Sequence, residues 1–181
     1  MWTVTACENR RGERGSTIAE SMVVLLLTGI LLATTASYSV SWLGREDLRH
    51  AASEIRTQLQ AARAHAISRN RATQFRLNTT TRQIQVYDLV DPSDLTDDIL
   101  LATASLPKKV TFARPDSGST VTLPVLSGTT YQATFESNGS VSSTPGLVCL
   151  SGGERFDRVT LFAAGGVKLE KWADSAWTIG S

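Results

Sequence analysis

From Ser21 to Gly44 the chain carries no charged residue, and one carboxylate, Glu20, stands at the edge of that run. A helix of this length covers about 36 Å, against a bilayer hydrocarbon core of about 30 Å. Met22 to Leu32 is strongly apolar, Ala33 to Ser41 is richer in Thr and Ser, Trp42 falls where an interfacial aromatic is expected, and Arg45 closes the run. An ionisable residue at the margin of such a segment is costly and reads as functional, with a partner to be named. The alternative for Glu20 is a place at headgroup level with no role.

Three readings of the run compete. It can be a single-pass anchor, a secretory signal with a small-residue site near Thr34-Thr35-Ala36, or a buried helix of a soluble protein. The last lacks a comparably apolar partner helix elsewhere in the chain, and a signal peptide leaves Glu20 unexplained. Arg10, Arg11 and Arg14 precede the run, and short basic flanks stay cytoplasmic. Everything after Trp42 is then expected to face the periplasm or the exterior.

Helical periodicity continues past Arg45. Leu48, Ala52, Ile55, Leu59, Ala62 and Ala66 recur at spacings of three and four, with neither Pro nor Gly between residues 45 and 70. One helix from about Ile18 to Ser68 is the simplest expectation, ending near Asn70. Arg49, Arg56 and Arg63 repeat every seven residues and fall near one side of it. From residue 45 to 76, seven Arg stand against Glu46, Asp47 and Glu54. A phosphate-binding track has this composition, but no aromatic residues are interleaved to stack bases, and a solvated or subunit-facing side is favoured.

Residues 71–181 read as β. Phe75 and Leu77 alternate with polar neighbours, as do Ile84 and Val86, which gives one hairpin. Val159 and Leu161, then Val167 and Leu169 across Gly165-Gly166, give a second. Between them, residues 110–112, 121–123, 133–135 and 147–150 are expected as short strands. The fold class is therefore α+β: a long N-terminal α-helix packed on an antiparallel β-sandwich-like head.

Chemistry is sparse. His50 and His65 both fall on the helix, with no nucleophile nearby, no Cys/His metal spacing and no phosphate loop, so neither enzyme nor cofactor is expected. Asp91, Asp94, Asp97 and Asp98 lack the alternation and Gly of a calcium loop, and a solvated loop with Ser93 capping a turn is expected. Cys7 and Cys149 are the two cysteines, and Cys149 is read as a small buried apolar residue.

The stretch Gly15-Ser16-Thr17-Ile18-Ala19-Glu20 resembles the type IV prepilin cleavage motif: a basic leader ending in Gly, Thr at the second mature position and Glu at the fifth. It departs in having Ser16 where Phe or Met is usual and Ala19 where a large aliphatic is usual. Downstream, Leu59-Gln60-Ala61-Ala62-Arg63-Ala64-His65-Ala66-Ile67-Ser68-Arg69-Asn70, Phe135-Glu136-Ser137-Asn138-Gly139-Ser140-Val141 and Gly165-Gly166-Val167-Lys168-Leu169 are similar to the GspH/FimT family of minor pilins and H-type pseudopilins.

The resemblance implies a leader of residues 1–15 removed after Gly15 by a prepilin peptidase and N-methylation of Ser16. It implies an assembly helix over 16–44, an amphipathic half over 45–70 and a periplasmic head over 71–181. It also implies pairing of Glu20 with the new amine of a neighbouring subunit. The partners implied are the peptidase, other pilin or pseudopilin subunits and the inner membrane, in type II secretion or a type IV pilus. Nucleic acid is a possible partner that is not favoured. DNA-binding members of the family carry a basic C-terminal hairpin, whereas here Lys168 and Lys171 are flanked by Glu170 and Asp174. A secreted β-protein with an ordinary signal peptide remains the alternative from a different class.

Overall fold

The computed structural model describes residues 18–90 and 97–179, and of residues 34–43 the backbone alone. Helix α1 spans Ile18–Arg69, in agreement with the expected single helix. Glu20 lies in its first turn and Arg69 in its last, each at the end where the helix dipole favours its charge. Asn70 stops the helix. It adopts a left-handed φ of 49°, its N–H donates to the Ile67 carbonyl, and the Arg71 N–H donates to the Ala66 carbonyl at 3.2 Å. These paired bonds close a Schellman motif, with Asn in the place Gly usually takes.

The chain divides into two compact units, Met1–Val40 and Ser41–Ser181. In the first, the helix from Ile18 to Ala33 is exposed along its described length. Met22, Leu25, Leu26, Leu31 and Leu32 each leave more than 60% of their surface open. Among the described residues no helix is long and apolar enough to cross a membrane, and the side chains of 34–43, inside the uncharged run, lie outside that set.

The second unit holds the core. Strands β1 (Thr73–Asn78), β2 (Gln83–Asp88), β3 (Ile99–Ser105), β4 (Val125–Ser127) and β5 (Thr130–Phe135) form one antiparallel sheet in the order β3-β2-β1-β5-β4. Strands β6 (Gly146–Ser151), β7 (Phe156–Leu161), β8 (Val167–Ala173) and β9 (Ala176–Ile179) form a second in chain order. The helical stripe Leu48, Ala52, Ile55, Leu59, Ala62 and Ala66 is buried, together with Ala51. It joins Phe75, Leu77, Ile84 and Val86 of the first sheet and Val148, Leu150, Val159 and Leu161 of the second in one cluster. The alanines are what let the helix backbone approach the sheets closely. Truncating any of the large members to Ala costs about 2–5 kcal/mol.

Both expected hairpins form, with Phe75 opposite Val86 and Val159 opposite Leu169. Two expected strands do not. Residues 110–112 and 121–123 make single bridges, Thr111 to Ser151 and Val121 to Val148. Their backbones serve β6 instead. The Thr122 N–H donates to the Leu147 carbonyl at 2.9 Å, and the Cys149 N–H donates to the Thr120 carbonyl at 2.7 Å. These segments, bounded by Pro107, Pro115 and Pro124, cover an edge that would otherwise invite another chain. Conversely, β3, β4 and β9 are strands that the hydrophobic alternation did not mark. The residues Asp91, Ser93 and Asp94 lie outside the described set, as do Gly15, Ser16 and Cys7.

Candidate functional site

Glu20 is exposed in the first turn of α1, and the apolar side chains that follow it are exposed as well. Helix geometry makes Val23 and Val24, three and four residues on, the neighbours of Glu20, so this end offers one carboxylate beside apolar side chains. Such a face has no use in water. It gains free energy, about 25 cal/mol per Å² removed from solvent, by entering lipid or by packing on other helices.

The arginine row separates into two kinds of residue. Arg49 and Arg56 are exposed. Arg63 is half-buried, and its Nε donates to the Gly139 carbonyl at 3.1 Å. That bond ties the helix to the turn between β5 and β6, beside the β7–β8 turn at Gly165. Lys168 is also engaged, with Nζ 2.9 Å from Glu170 Oε1. Of the four basic residues considered for nucleic acid, Arg49 and Arg56 are exposed, whereas Arg63 and Lys168 are engaged within the head.

Glu170 is the centre of a group that the sequence did not reveal. Arg158 Nη2 lies 2.7 Å from Oε2, and the Thr160 hydroxyl donates to the same oxygen at 3.2 Å. The Arg158 guanidinium also stacks 4.3 Å from the Trp177 ring, which meets Trp172 edge-on at 5.1 Å. Burial alone raises the Glu170 carboxyl, but the hydrogen bonds from Lys168 and Arg158 outweigh it and hold the group below its usual range. A depressed carboxyl stabilises the fold above its unfolded value of 4.5 and loses that contribution as pH falls through the folded value. The wild-type head is therefore expected to melt at lower temperature below about pH 4.5, and Glu170→Gln to flatten that loss while lowering the melting temperature at pH 7. Thermal melts between pH 3 and 7 read both; parallel curves for the two proteins would count against it.

Other buried charges hold the first sheet. Asp88 lies 3.8 Å from Arg71, and Asp98 pairs with Arg76, whose guanidinium stacks 4.1 Å from Tyr87. Asp98 is therefore spoken for by an arginine. Among the described residues no three His, Cys, Asp or Glu gather as a metal site. Cys149 is buried as expected, and desolvation pushes its thiol up to about 11. A thiol so disposed is unreactive at neutral pH.

The family model described as Type II transport protein GspH matches residues 51–165, more than half of the chain. The chain belongs to the GspH family. The structure is similar to that of the type IV minor pilin FimU of Pseudomonas aeruginosa in two crystal forms. One has a TM-score of 0.54 at 18% identity, covering 74% of this chain and 93% of that one. The other has a TM-score of 0.51 at 17% identity, covering 72% and 96%. The minor pseudopilin EpsH from the type 2 secretion system of Vibrio cholerae matches at a TM-score of 0.49 and 18% identity, covering 68% and 95%. At 17–18% identity the likeness to FimU is one of fold. No curated protein matches the chain.

The GspH match opens at Ala51, in the buried helical stripe, and closes at Gly165, where the β7–β8 turn meets Arg63 and Gly139. It thus takes in the packing of helix on both sheets. Gly15, Ser16 and Glu20 precede it, so the family rests on the head, and the role of the N-terminal motif rests on its own residues.

Proposed function

We propose that this GspH-family chain is a minor pilin or pseudopilin, cleaved after Gly15 by a prepilin peptidase, anchored in the inner membrane and assembled into a periplasmic filament. The observation that carries the reading is the contrast along one helix. Its Ile18–Ala33 part exposes a wide apolar surface, while its later part is buried against two sheets. A protein that spends one half of a helix on its own core keeps the other half for lipid or for other subunits. The uncharged run, Trp42 and the basic leader support an inner-membrane stage with the head outside. The family's description supports type II secretion, and the FimU fold leaves a type IV pilus open.

Within that reading Glu20 sets register. It meets the amine that cleavage creates on Ser16 of a neighbour, and stripping one partner from such a buried pair costs about 3–5 kcal/mol. Glu20→Ala is therefore expected to be processed normally and to reach the membrane, but to enter filaments at under about a hundredth of the wild-type level. Immunoblots of sheared filaments against membrane fractions measure this. Wild-type incorporation would remove Glu20 from the account. DNA binding is not part of this reading, because two of the residues considered for it, Arg63 and Lys168, are already used within the head.

A further inference from the structure

A cavity of about 470 Å³ opens within the Ser41–Ser181 unit, where the helix passes the second sheet. Arg45 and Arg49 of α1, Arg155 before β7 and Lys171 of β8 line it, with Phe156 and Trp172 as its aromatic walls. The five ion pairs among the described residues involve other cations, and none uses these four. Asp157, the cross-strand partner of Lys171, and Glu46 of the helix also line the cavity. Two acids against four bases leave the lining net positive. Burial pushes the Asp157 carboxyl up, against the pull of Lys171, Arg155 and Arg49, so its nearest charges are cations of this same lining. Four cations drawn around one concavity repel one another, and an anion seated among them relieves the repulsion.

The position of the cavity narrows the anion. Arg45 is the first charged residue after the uncharged run that ends at Gly44, and Arg49 lies about 6 Å further along the helix. In a subunit anchored by that run, these two side chains stand at the height of the lipid headgroups. Trp172 and Phe156 suit the same boundary. Arginine reads a phosphate through two parallel N–H donors, and each base near an anionic surface adds about 1 kcal/mol. We propose that this cavity holds the phosphate of an anionic phospholipid headgroup while the subunit waits in the membrane, with Arg45, Arg49, Arg155 and Lys171 supplying the positive charge. The proposal rests on the membrane-anchored reading above. A headgroup bound there fixes the head against the bilayer until the helix leaves for the filament.

The test uses the full-length chain in uncharged detergent. Short-chain phosphatidylglycerol, phosphatidylcholine of the same chain length, and glycerol phosphate are each titrated, with retained molecules counted by native mass spectrometry. The expected result is at least about tenfold stronger retention of phosphatidylglycerol than of phosphatidylcholine, with glycerol phosphate weak. Arg155→Gln with Lys171→Gln should abolish the preference, and Arg155→Lys with Lys171→Arg should keep it. Thermal melts of both variants check that the head is folded, and the lipid comparison on wild-type protein decides the matter even if one variant is not.

Equal retention of the two lipids overturns the proposal. Glycerol phosphate binding as tightly as phosphatidylglycerol overturns it in favour of a free-anion site. Equal lipid retention, with loss of co-extracted filament subunits in the Gln variant, overturns it in favour of a protein contact. Carbonate extraction of wild-type cells separates this from the reading beneath it. A membrane-embedded chain without lipid preference sinks the headgroup site alone, whereas a soluble chain sinks the anchored reading.

Discussion

Gly15→Leu is expected to leave an uncleaved precursor, fifteen residues longer than the mature chain, in the inner membrane. The scissile bond after Gly15 must approach a catalytic centre closely, and a residue without a side chain allows that approach. A leucine there holds the bond away, and displacement of about 1 Å at a reacting centre costs on the order of a hundredfold in rate. Because Ser16 would keep its peptide bond, no new amine forms and Glu20 loses its proposed partner at the same time. The variant should therefore fail in processing and in filament entry together, whereas Glu20→Ala fails in the second alone. Pulse-chase gels of the two variants measure the difference. A Gly15→Leu product of mature size would count against the leader as read.

Gly165→Ala is expected to unfold a large part of the molecules at moderate denaturant, with a loss of about 3 kcal/mol or more. Gly165 sits at φ +77°, where an L-residue pays about 1–2 kcal/mol. A Cβ there would stand 2.0 Å from the Gly139 carbonyl oxygen and 2.9 Å from Arg63 Nε. The first of these is backbone and cannot swing aside. Moving it breaks the Arg63–Gly139 bond, worth about 1.5–3 kcal/mol with a charged donor, and strains the pairing of Val141 with Ala163. Against a total stability of about 5–15 kcal/mol, the loss is severe. Gly166→Ala is the control, because its Cβ would meet only the Phe162 ring at 3.9 Å. Urea melts should separate the two variants by at least about 2 kcal/mol, and equal midpoints would remove the Gly139–Gly165 contact from the account.

These glycines illustrate how far the sequence could be read. The pair Gly165-Gly166 marks a turn from residue type alone. Which of the two carries the close approach is not legible, since the answer lies with Gly139 and Arg63, far away in the chain. The helix was legible from end to end because its signals are local: an unbroken three-and-four spacing from Leu48 to Ala66, and Asn70 as the stop. The two hairpins were legible for the same reason, from alternation over a few residues. Strand β3 was not, because it runs along a sheet edge with Ile99 and Leu100 exposed, so no apolar alternation marks it. Residues 110–112 and 121–123 have strand composition, yet they are held to single bridges by the turns and prolines around them.

The candidate site divides in the same way. Glu20 stands out in the sequence because a lone acid beside an apolar run is anomalous. The seven-residue spacing of Arg49, Arg56 and Arg63 suggested a shared role, and long-range packing took Arg63 out of it. The group around Glu170 depends on cross-strand register, with Arg158 opposite Glu170, and register is set by the whole sheet. The cavity lined by Arg45, Arg49, Arg155 and Lys171 joins helix and sheet residues more than a hundred positions apart, and no sequence pattern announces it.

The most direct measurement is the N-terminal residue of the protein recovered from membranes. Cleavage after Gly15 predicts a chain that begins at Ser16, with Glu20 fifth from the new amine. A chain that begins at Ser37, after the small-residue site of an ordinary signal peptide, would contradict the account.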